Sequence, residues 1–181
     1  MNVVGPIRSR TLIKRILYFL KNNFHRDFIL FFIGIHTGLR ISDILRLKVS
    51  DVKGKSHIEI IEKKTRKKKK FYINKELRKE IREYCKGKEN YSFLFCSRKG
   101  INSPITRVRA YQILKDIGDQ FDIHISCHTL RKTFGYFHYS DNKDIATLME
   151  IFNHSSQKVT LIYIGVMQEE IDKTIKDLSF L

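Results

Sequence analysis

The sequence predicts a mostly α-helical domain with one small antiparallel β-sheet, an α+β fold. Apolar residues recur at helical spacing through most of the chain, whereas residues 57–62 and 71–73 have the pattern of two strands of a hairpin. The chain has 181 residues, of which 42% are hydrophobic, enough for one packed core. We therefore expect residues 1–181 to form a single domain.

The individual elements follow in chain order from the same patterns and from turn signals. Leu12, Ile16 and Leu20 fall on one face of a first helix, and the apolar run after it predicts a more buried helix that ends near Gly38. A basic turn joins the two predicted strands. The predicted helices cover residues 10–21, 25–36, 39–47, 75–86, 106–121, 128–139, 144–152 and 168–178.

The charge of the chain points to a polyanionic partner. There are 35 Lys and Arg residues against 19 Asp and Glu, a formal net charge of +16. Such an excess is compatible with DNA, RNA or an acidic membrane surface. Residues 63–70 (KKTRKKKK) concentrate seven basic side chains in eight positions, which is typical of a loop on a phosphate backbone or of a solvated turn. A nuclear-import signal is a third interpretation, disfavoured because predicted strands enclose the run. The candidate DNA-binding residues are Lys63, Arg66, Lys67, Lys68, Lys69, Lys70, Arg107 and Arg109.

Several classes of protein are disfavoured. Cys85, Cys96 and Cys127 form no CxxC pair, which argues against a disulfide framework and against a zinc site. The longest apolar stretch, residues 28–35, is far shorter than the roughly 20 residues that cross a bilayer. No P-loop and no carboxylate cluster for Mg²⁺ is evident. We expect a cytoplasmic protein with no membrane partner, no metal and no cofactor.

Two segments pair a basic residue with a titratable one. In TGLRISD (37–43), Arg40 precedes Asp43 by three positions, a helical spacing at which the carboxylate could orient the guanidinium. In HTLRKTFG (128–135), His128 and Arg131 have the same spacing. They would combine proton transfer near neutral pH with neutralisation of a phosphate oxygen. Each motif alone is more often structural.

Two further segments add a histidine and a tyrosine. His154 lies in NHSS (153–156) before a turn, and Tyr163 lies in LIYIG (161–165). A tyrosine with its ordinary pKa of about 10 is a weak nucleophile, and nearby arginines would favour its phenolate form. A tyrosine between two isoleucines is otherwise more often a core aromatic residue.

In this order the four segments resemble the conserved boxes of the tyrosine recombinases, the site-specific recombinases of the phage-integrase type. The spacings of 23 residues from Arg131 to His154 and of nine to Tyr163 also match. The resemblance covers roughly residues 7–177 and only the catalytic domain of the family. It implies the catalytic-domain fold and the cutting and rejoining of duplex DNA without metal or ATP. It suggests a short form that lacks the N-terminal core-binding domain.

The resemblance also implies a role for each matching residue. Arg40 and Arg131 would hold the scissile phosphate, and His154 would add a hydrogen bond. Tyr163 would attack phosphorus to give a 3′-phosphotyrosyl link and a free 5′-hydroxyl, with His128 as acid/base. In the family a lysine on the hairpin protonates the leaving oxygen. Lys64 is the best match for it, with Lys63 and Lys67 as open alternatives.

The sequence departs from the family pattern at three positions. Asn153 replaces a usual glycine, Arg66 stands where glycine is common, and Lys132 stands where a histidine is common. None of these changes removes a catalytic group.

The family also suggests how the chain would assemble. The tail, residues 166–181, would dock on a neighbouring protomer through a stripe of Ile171, Ile175 and Leu178, with Phe180 beyond it. The free protein would then be a monomer or weak oligomer, and a tetramer on double-stranded DNA. A type IB topoisomerase and a non-cleaving DNA-binding regulator are the alternative functions.

Overall fold

The chain folds into a bundle of helices with one two-stranded β-hairpin, as the sequence predicts. The structure is a computed structural model that describes residues 4–176. Its elements are α1 (Arg10–Asn23), α2 (His25–Thr37), α3 (Ile41–Ile44), β1 (His57–Ile61), β2 (Lys68–Tyr72), α4 (Lys75–Tyr84), α5 (Arg107–Gln120), α6 (Cys127–Asn142), α7 (Ile145–Phe152), α8 (Gln157–Ile164) and α9 (Met167–Lys176).

Helix α2 is the centre of the fold. It is apolar on all sides, and Phe28, Phe31 and Ile33 are among its buried residues. A helix without a polar face has to be surrounded, and α2 contacts α1, α4 and α6. Helix α2 ends at Gly38, whose φ of +63° is the left-handed conformation common at helix C-termini. Within residues 4–176, no helix is long and apolar enough to cross a membrane.

The hairpin differs from its predicted extent. Strands β1 and β2 are antiparallel, with His57 opposite Tyr72 and Ile61 opposite Lys68. Strand β2 therefore starts three residues before the predicted start at residue 71. Lysines are poor strand formers, but here the pairing with β1 and the burial of Phe71 outweigh local propensity. Residues 62–67, called the hairpin connection below, form the turn itself.

The C-terminal half packs α6, α7 and α8 around Phe152 and Ile164. Gly135 of α6 lies against α8 so closely that a Cβ there would fall 2.6 Å from Ile164 and 2.8 Å from Phe152. Only a glycine leaves room for this approach. Helix α8 was not predicted, because its eight residues are apolar on several sides and rich in β-branched residues.

Residues 4–8 form a short strap over α6 and the α8–α9 junction. The Lys132 ammonium donates to the Val4 carbonyl at 2.8 Å, and the Ile7 amide donates to the Thr133 hydroxyl at 2.9 Å. Arg8 donates to the Gly165 carbonyl at 2.6 Å. The strap therefore holds the end of α8.

Helix α9 starts one residue before its predicted start at residue 168, and none of its residues is buried. Its Ile171 and Ile175 side chains are exposed, consistent with the predicted apolar stripe. Leu178 and Phe180 lie outside the described residues.

Candidate active site

Arg40 and Arg131 converge on one backbone carbonyl. Arg40 directly precedes α3, and Arg131 lies in the buried face of α6. Both guanidiniums donate to the Phe152 carbonyl, at 3.4 Å from Arg40 and 3.3 Å from Arg131. Two cations from distant parts of the chain are thereby held side by side, an arrangement suited to a phosphate.

Arg131 is the more rigidly held of the two. It is 3% exposed, donates to the Gly38 carbonyl and lies over the Phe152 ring with its Cζ atom 4.3 Å from the ring centroid. Burial lowers its pKa to about 10. The guanidinium therefore remains charged at neutral pH.

Arg40 is paired with Glu62, a residue that the sequence analysis missed. The Glu62 carboxylate is fully buried and accepts from Arg40 at 2.5 Å, from the Thr65 hydroxyl at 2.5 Å and from the Asn153 amide at 2.7 Å. Before the structure, the one available signal was a carboxylate directly before the basic run of residues 63–70. This acid holds three segments of the site together.

Asp43 does not have the predicted role. It is buried, and its carboxylate accepts from the Lys63 backbone amide at 2.9 Å, whereas the acidic partner of Arg40 is Glu62. The prediction assumed that both residues lie on one helix. Arg40 instead caps α3 in an extended conformation, φ −69° and ψ 143°, so its side chain does not share a helix face with Asp43. Asp43 positions the hairpin connection instead.

Tyr163 lies beside both predicted histidines. The His128 Nδ1 atom is 3.4 Å from the Tyr163 hydroxyl oxygen, and the His154 ring lies edge-on to the Tyr163 ring at 5.2 Å between centroids. Burial raises the pKa of Tyr163, although Arg131 and Arg40 act in the opposite direction. The arginines thus favour the phenolate as expected, but burial outweighs them in the free protein, so the hydroxyl needs a base.

His128 is suited to be that base. Burial lowers its pKa, and the nearby charges of Arg107 and Lys132 lower it further. At neutral pH its imidazole is therefore uncharged and can accept a proton from Tyr163.

His154 follows α7 in the turn that the sequence predicts. Its Nδ1 atom is 3.1 Å from the Thr160 hydroxyl, which fixes the ring orientation. Burial lowers its pKa, and the charges of Arg131 and Arg40 add to this effect. A depression of about 580 Å³ adjoins His154 and Lys67, leaving this edge of the site open to a large ligand.

The basic residues of the hairpin fall into two groups. Lys69 donates to the Glu150 carbonyl and carboxylate, and Lys70 pairs with Glu59 at 3.1 Å. Lys64 is exposed in the hairpin connection, and within residues 4–176 it has no hydrogen-bond or ion-pair partner. The same is true of the Lys67 and Lys68 side chains.

The remaining candidate DNA-binding residues lie on α5. Arg107 is exposed at its start and close enough to His128 to lower the pKa of that residue. Arg109 lines a separate depression of about 870 Å³ between α1 and α5. In the described part of the chain, no group of three or more His, Cys, Asp or Glu residues is arranged to hold a metal ion.

The geometry thus brings together Arg40, His128, Arg131, His154 and Tyr163, called the arginine–tyrosine cluster below. The sequence profile of the phage integrase family matches residues 10–170. The chain belongs to the phage integrase family. The resemblance that the sequence segments indicated is therefore confirmed.

Two curated relatives show how this family member compares in sequence. A probable integrase/recombinase, YoeC of Bacillus subtilis, is 45% identical over 93% of this chain and 93% of its own length. The tyrosine recombinase XerA of Pyrococcus furiosus is 25% identical over 93% of this chain. The chain spans 60% of the length of that XerA protein.

Solved structures of the family share the fold. The crystal structure of XerA recombinase superposes with a TM-score of 0.77 at 21% identity, over 99% of this chain and 68% of that one. XerH recombinase bound to its difH substrate before cleavage gives a TM-score of 0.72 at 19% identity, over 97% of this chain and 56% of that one. These likenesses confirm the predicted catalytic-domain fold.

Proposed function

We propose that the protein is a site-specific recombinase that cleaves and rejoins duplex DNA through a 3′-phosphotyrosine intermediate. The observation that carries the proposal is the position of the Tyr163 hydroxyl, 3.4 Å from a neutral His128 and next to two guanidiniums held on one carbonyl. The position supplies a nucleophile, a base and fixed positive charge at one point, which phosphodiester cleavage needs.

Phosphate binding uses the fixed charges of the cluster. Arg40 and Arg131 would neutralise the two non-bridging oxygens of the scissile phosphate, where charge increases during attack. His154 would donate to the same group from the ring nitrogen that does not face Thr160. A bound phosphate also favours the protonated form of His154, because its negative charge opposes the effect of the arginines.

The chemical step transfers one proton at each end of the reaction. The Tyr163 oxygen bonds to phosphorus as its proton passes to His128, and the bond from phosphorus to the 5′-oxygen breaks. Lys64, in the hairpin connection, would protonate that leaving oxygen to give a 5′-hydroxyl. Attack by a 5′-hydroxyl of a second strand reverses these steps, so the phosphodiester is restored without ATP.

Recombination fits the chain better than the two alternative functions. The curated relatives carry integrase and recombinase names, which favours recombination over the relaxation of supercoils. A non-cleaving regulator would have no use for a tyrosine hydroxyl placed against a base.

Covalent capture on DNA tests the proposal. A pool of nicked duplexes with a randomised centre is incubated with the protein, and DNA that stays attached in detergent is recovered and sequenced. We expect one family of sites to be enriched. Tyr163→Phe should abolish capture on the selected duplex and leave binding unchanged, with the exposed Tyr72→Phe as the matched control. Capture by Tyr163→Phe at the wild-type level would refute the assignment.

Two properties of the reaction follow and are checked in the same assay. Cleavage should persist in EDTA, because the arginines supply the positive charge that a metal would otherwise provide. Inhibition by EDTA, relieved by adding a divalent cation, would contradict this. A supercoiled plasmid without the selected site should not be relaxed, whereas a topoisomerase would relax it.

The tail is proposed to act in assembly on DNA. In the described part, α9 has exposed Ile171 and Ile175, and its acids pair with Arg8 and Lys143 of the same chain. A chain that ends at Gly165 should bind one DNA site normally and fail to bring two sites together. Sedimentation of free and DNA-bound protein decides the stoichiometry. A stable tetramer without DNA would contradict the proposed monomer or weak oligomer.

A further inference from the structure

Glu62 is a fully buried carboxylate at the start of the hairpin connection, next to the arginine–tyrosine cluster. A buried charge is costly unless other groups compensate it, and here the Arg40 guanidinium does so at 2.5 Å. The Arg40 Nη1 atom donates to Glu62 while Nη2 donates to the Phe152 carbonyl. A guanidinium has five N–H donors, so these two bonds fix its plane and leave donors for a phosphate.

The same carboxylate closes the hairpin connection. The Thr65 hydroxyl donates to it at 2.5 Å, the Arg66 amide donates to the Glu62 carbonyl at 3.0 Å, and the Glu62 amide donates to the Lys67 carbonyl at 3.0 Å. Lys64 lies inside this loop. The Lys64 side chain has no partner of its own in the described part of the chain. The hydrogen bonds of Glu62 therefore fix the position of the Lys64 backbone, from which the side chain extends.

A third bond reaches the turn that carries His154. The Asn153 amide donates to Glu62 at 2.7 Å, and Asn153 has a φ of +55°, which asparagine tolerates better than most residues. Glycine, the usual residue at this position in the family, fits the same backbone but has no side-chain amide to donate to Glu62. The contact with Glu62 thus gives a physical reason for asparagine at this position.

We propose that Glu62 is a positioning residue that holds Arg40 in place and couples the loop carrying Lys64 to the turn carrying Asn153 and His154. The inference rests on the proposed DNA cleavage. It adds that the phosphate-binding arginine and the proton donor are aligned through one buried acid.

Two kinds of leaving group distinguish the effect of Glu62 on Arg40 from its effect on the loop that carries Lys64. The selected nicked duplex is made once with the natural 5′-oxygen at the scissile phosphate and once with sulfur in its place. A thiol has a pKa near 8.5, so the thiolate leaves without a proton donor, whereas the alkoxide needs one. Lys64→Ala should therefore slow cleavage of the oxygen duplex about 100-fold and cleave the sulfur duplex nearly normally. Arg40→Ala should lose both.

The Glu62 variants should show both defects. A glutamine has one acceptor oxygen, and its NH₂ group meets donors, so it cannot accept from Arg40, Thr65 and Asn153 together. We expect Glu62→Gln to slow single-turnover cleavage about 100-fold with oxygen and about 10-fold with sulfur. Thr65→Ala removes only the bond between Glu62 and the loop that carries Lys64. It should slow cleavage of the oxygen duplex about 10-fold and leave the rate with the sulfur duplex within about twofold of wild type.

Glu59→Gln is the matched control, because Glu59 lies on the same strand and pairs with Lys70 at the surface. It should cleave both duplexes at the wild-type rate. Thermal unfolding and DNA binding are measured for every variant. The coupling is also tested without removing the buried carboxylate, by Thr65→Ala and by Asn153→Gly. Asn153→Gly should slow cleavage with both leaving groups and leave DNA binding unchanged.

The outcomes are distinct. The coupling is overturned if Glu62→Gln cleaves both duplexes at the wild-type rate, or if it slows cleavage of both duplexes by the same factor. In either case the proposed function stands as long as the wild-type protein cleaves. Thr65→Ala that is equally slow with oxygen and sulfur also overturns it. If wild-type protein forms no covalent complex with either duplex, the proposed function fails and the inference falls with it.

Discussion

The two parts of the candidate site differ in how firmly the fold holds them. The arginine–tyrosine cluster lies on helices α6 and α8, on the residue directly before α3 and on the turn after α7. Arg131 is 3% exposed, and two carbonyls and an aromatic ring fix it. Lys64 lies on a surface loop, and its side chain contacts no partner within the described residues. Under the proposed function, the phosphate-binding charges and the proton donor thus lie on different kinds of structure.

This difference indicates what each part contributes. Fixed cations stabilise developing charge without reorganisation during the reaction, so rigid helices suit them. A proton donor has to reach the leaving oxygen only after DNA is bound, and a lysine on an exposed turn can do so. The following predictions test this division, from the largest expected effect to the smallest.

Removal of either arginine should have the largest effect. Arg40→Ala or Arg131→Ala should slow cleavage by several orders of magnitude, on the scale of about 3 kcal/mol or more for a central charge-stabilising group. Arg131→Ala should also lower the melting temperature, because it leaves the Gly38 carbonyl without its donor and removes one of the two donors to the Phe152 carbonyl. Single-turnover covalent capture and thermal unfolding measure the two effects. Cleavage by Arg131→Ala within tenfold of wild type would contradict the preorganised role.

Removal of the lysine should have a smaller effect on cleavage and none on folding. Lys64→Ala should slow cleavage about 100-fold, the range for loss of a general acid, with an unchanged melting temperature. Lys63→Ala and Lys67→Ala are the matched controls and should cleave nearly normally. If one of the controls shows the loss instead, that residue is the donor.

Lowering the pH should inactivate the cluster at His128. Its pKa in the free protein lies below the ordinary 6.5, and the base must be neutral to accept the Tyr163 proton. The rate at limiting DNA should therefore fall about tenfold per pH unit on an acidic limb whose midpoint lies below 6.5. His128→Gln should remove this limb, and a midpoint above 6.5 would contradict the assignment.

Neutralising the hairpin lysines should affect binding more than chemistry. The double variant Lys67→Gln with Lys68→Gln should weaken binding to all duplexes. It should also reduce the slope of log affinity against log salt concentration by the contribution of up to about two phosphate contacts. Lys69→Gln with Lys70→Gln should do less, because Glu150 and Glu59 already pair with those residues. Binding titrations over a series of salt concentrations measure both slopes. An unchanged slope in the first variant would mean that the loop is only solvated.

Sequence patterns were sufficient for the cluster because its members stand at fixed spacings inside short motifs. His128 and Arg131 share one helix, and the spacings to His154 and Tyr163 identify the family without any structure. The hairpin was also predictable, since β1 alternates in polarity. These features depend on the identity and spacing of residues that are close together in the sequence.

The missed features depend on contacts between distant residues. Glu62 is 22 residues from Arg40 and 91 from Asn153, and no local pattern reveals that all three meet. The predicted pairing of Asp43 with Arg40 is wrong because the i, i+3 spacing assumes that both residues are helical, whereas the Arg40 backbone is extended. The raised pKa of Tyr163 likewise reflects burial by surrounding elements rather than the neighbouring arginines.

The narrow gap at Gly135 has a consequence for genetics. Any side chain there would push on Phe152, whose carbonyl joins the two arginines, and on Ile164, the residue after Tyr163. Gly135→Ala would thus displace Tyr163, the proposed nucleophile, from the two arginines without altering a side chain of the arginine–tyrosine cluster. A selection for lost recombination should recover this allele as heat-sensitive, with activity at low growth temperature and suppressors that shorten the side chain at position 164.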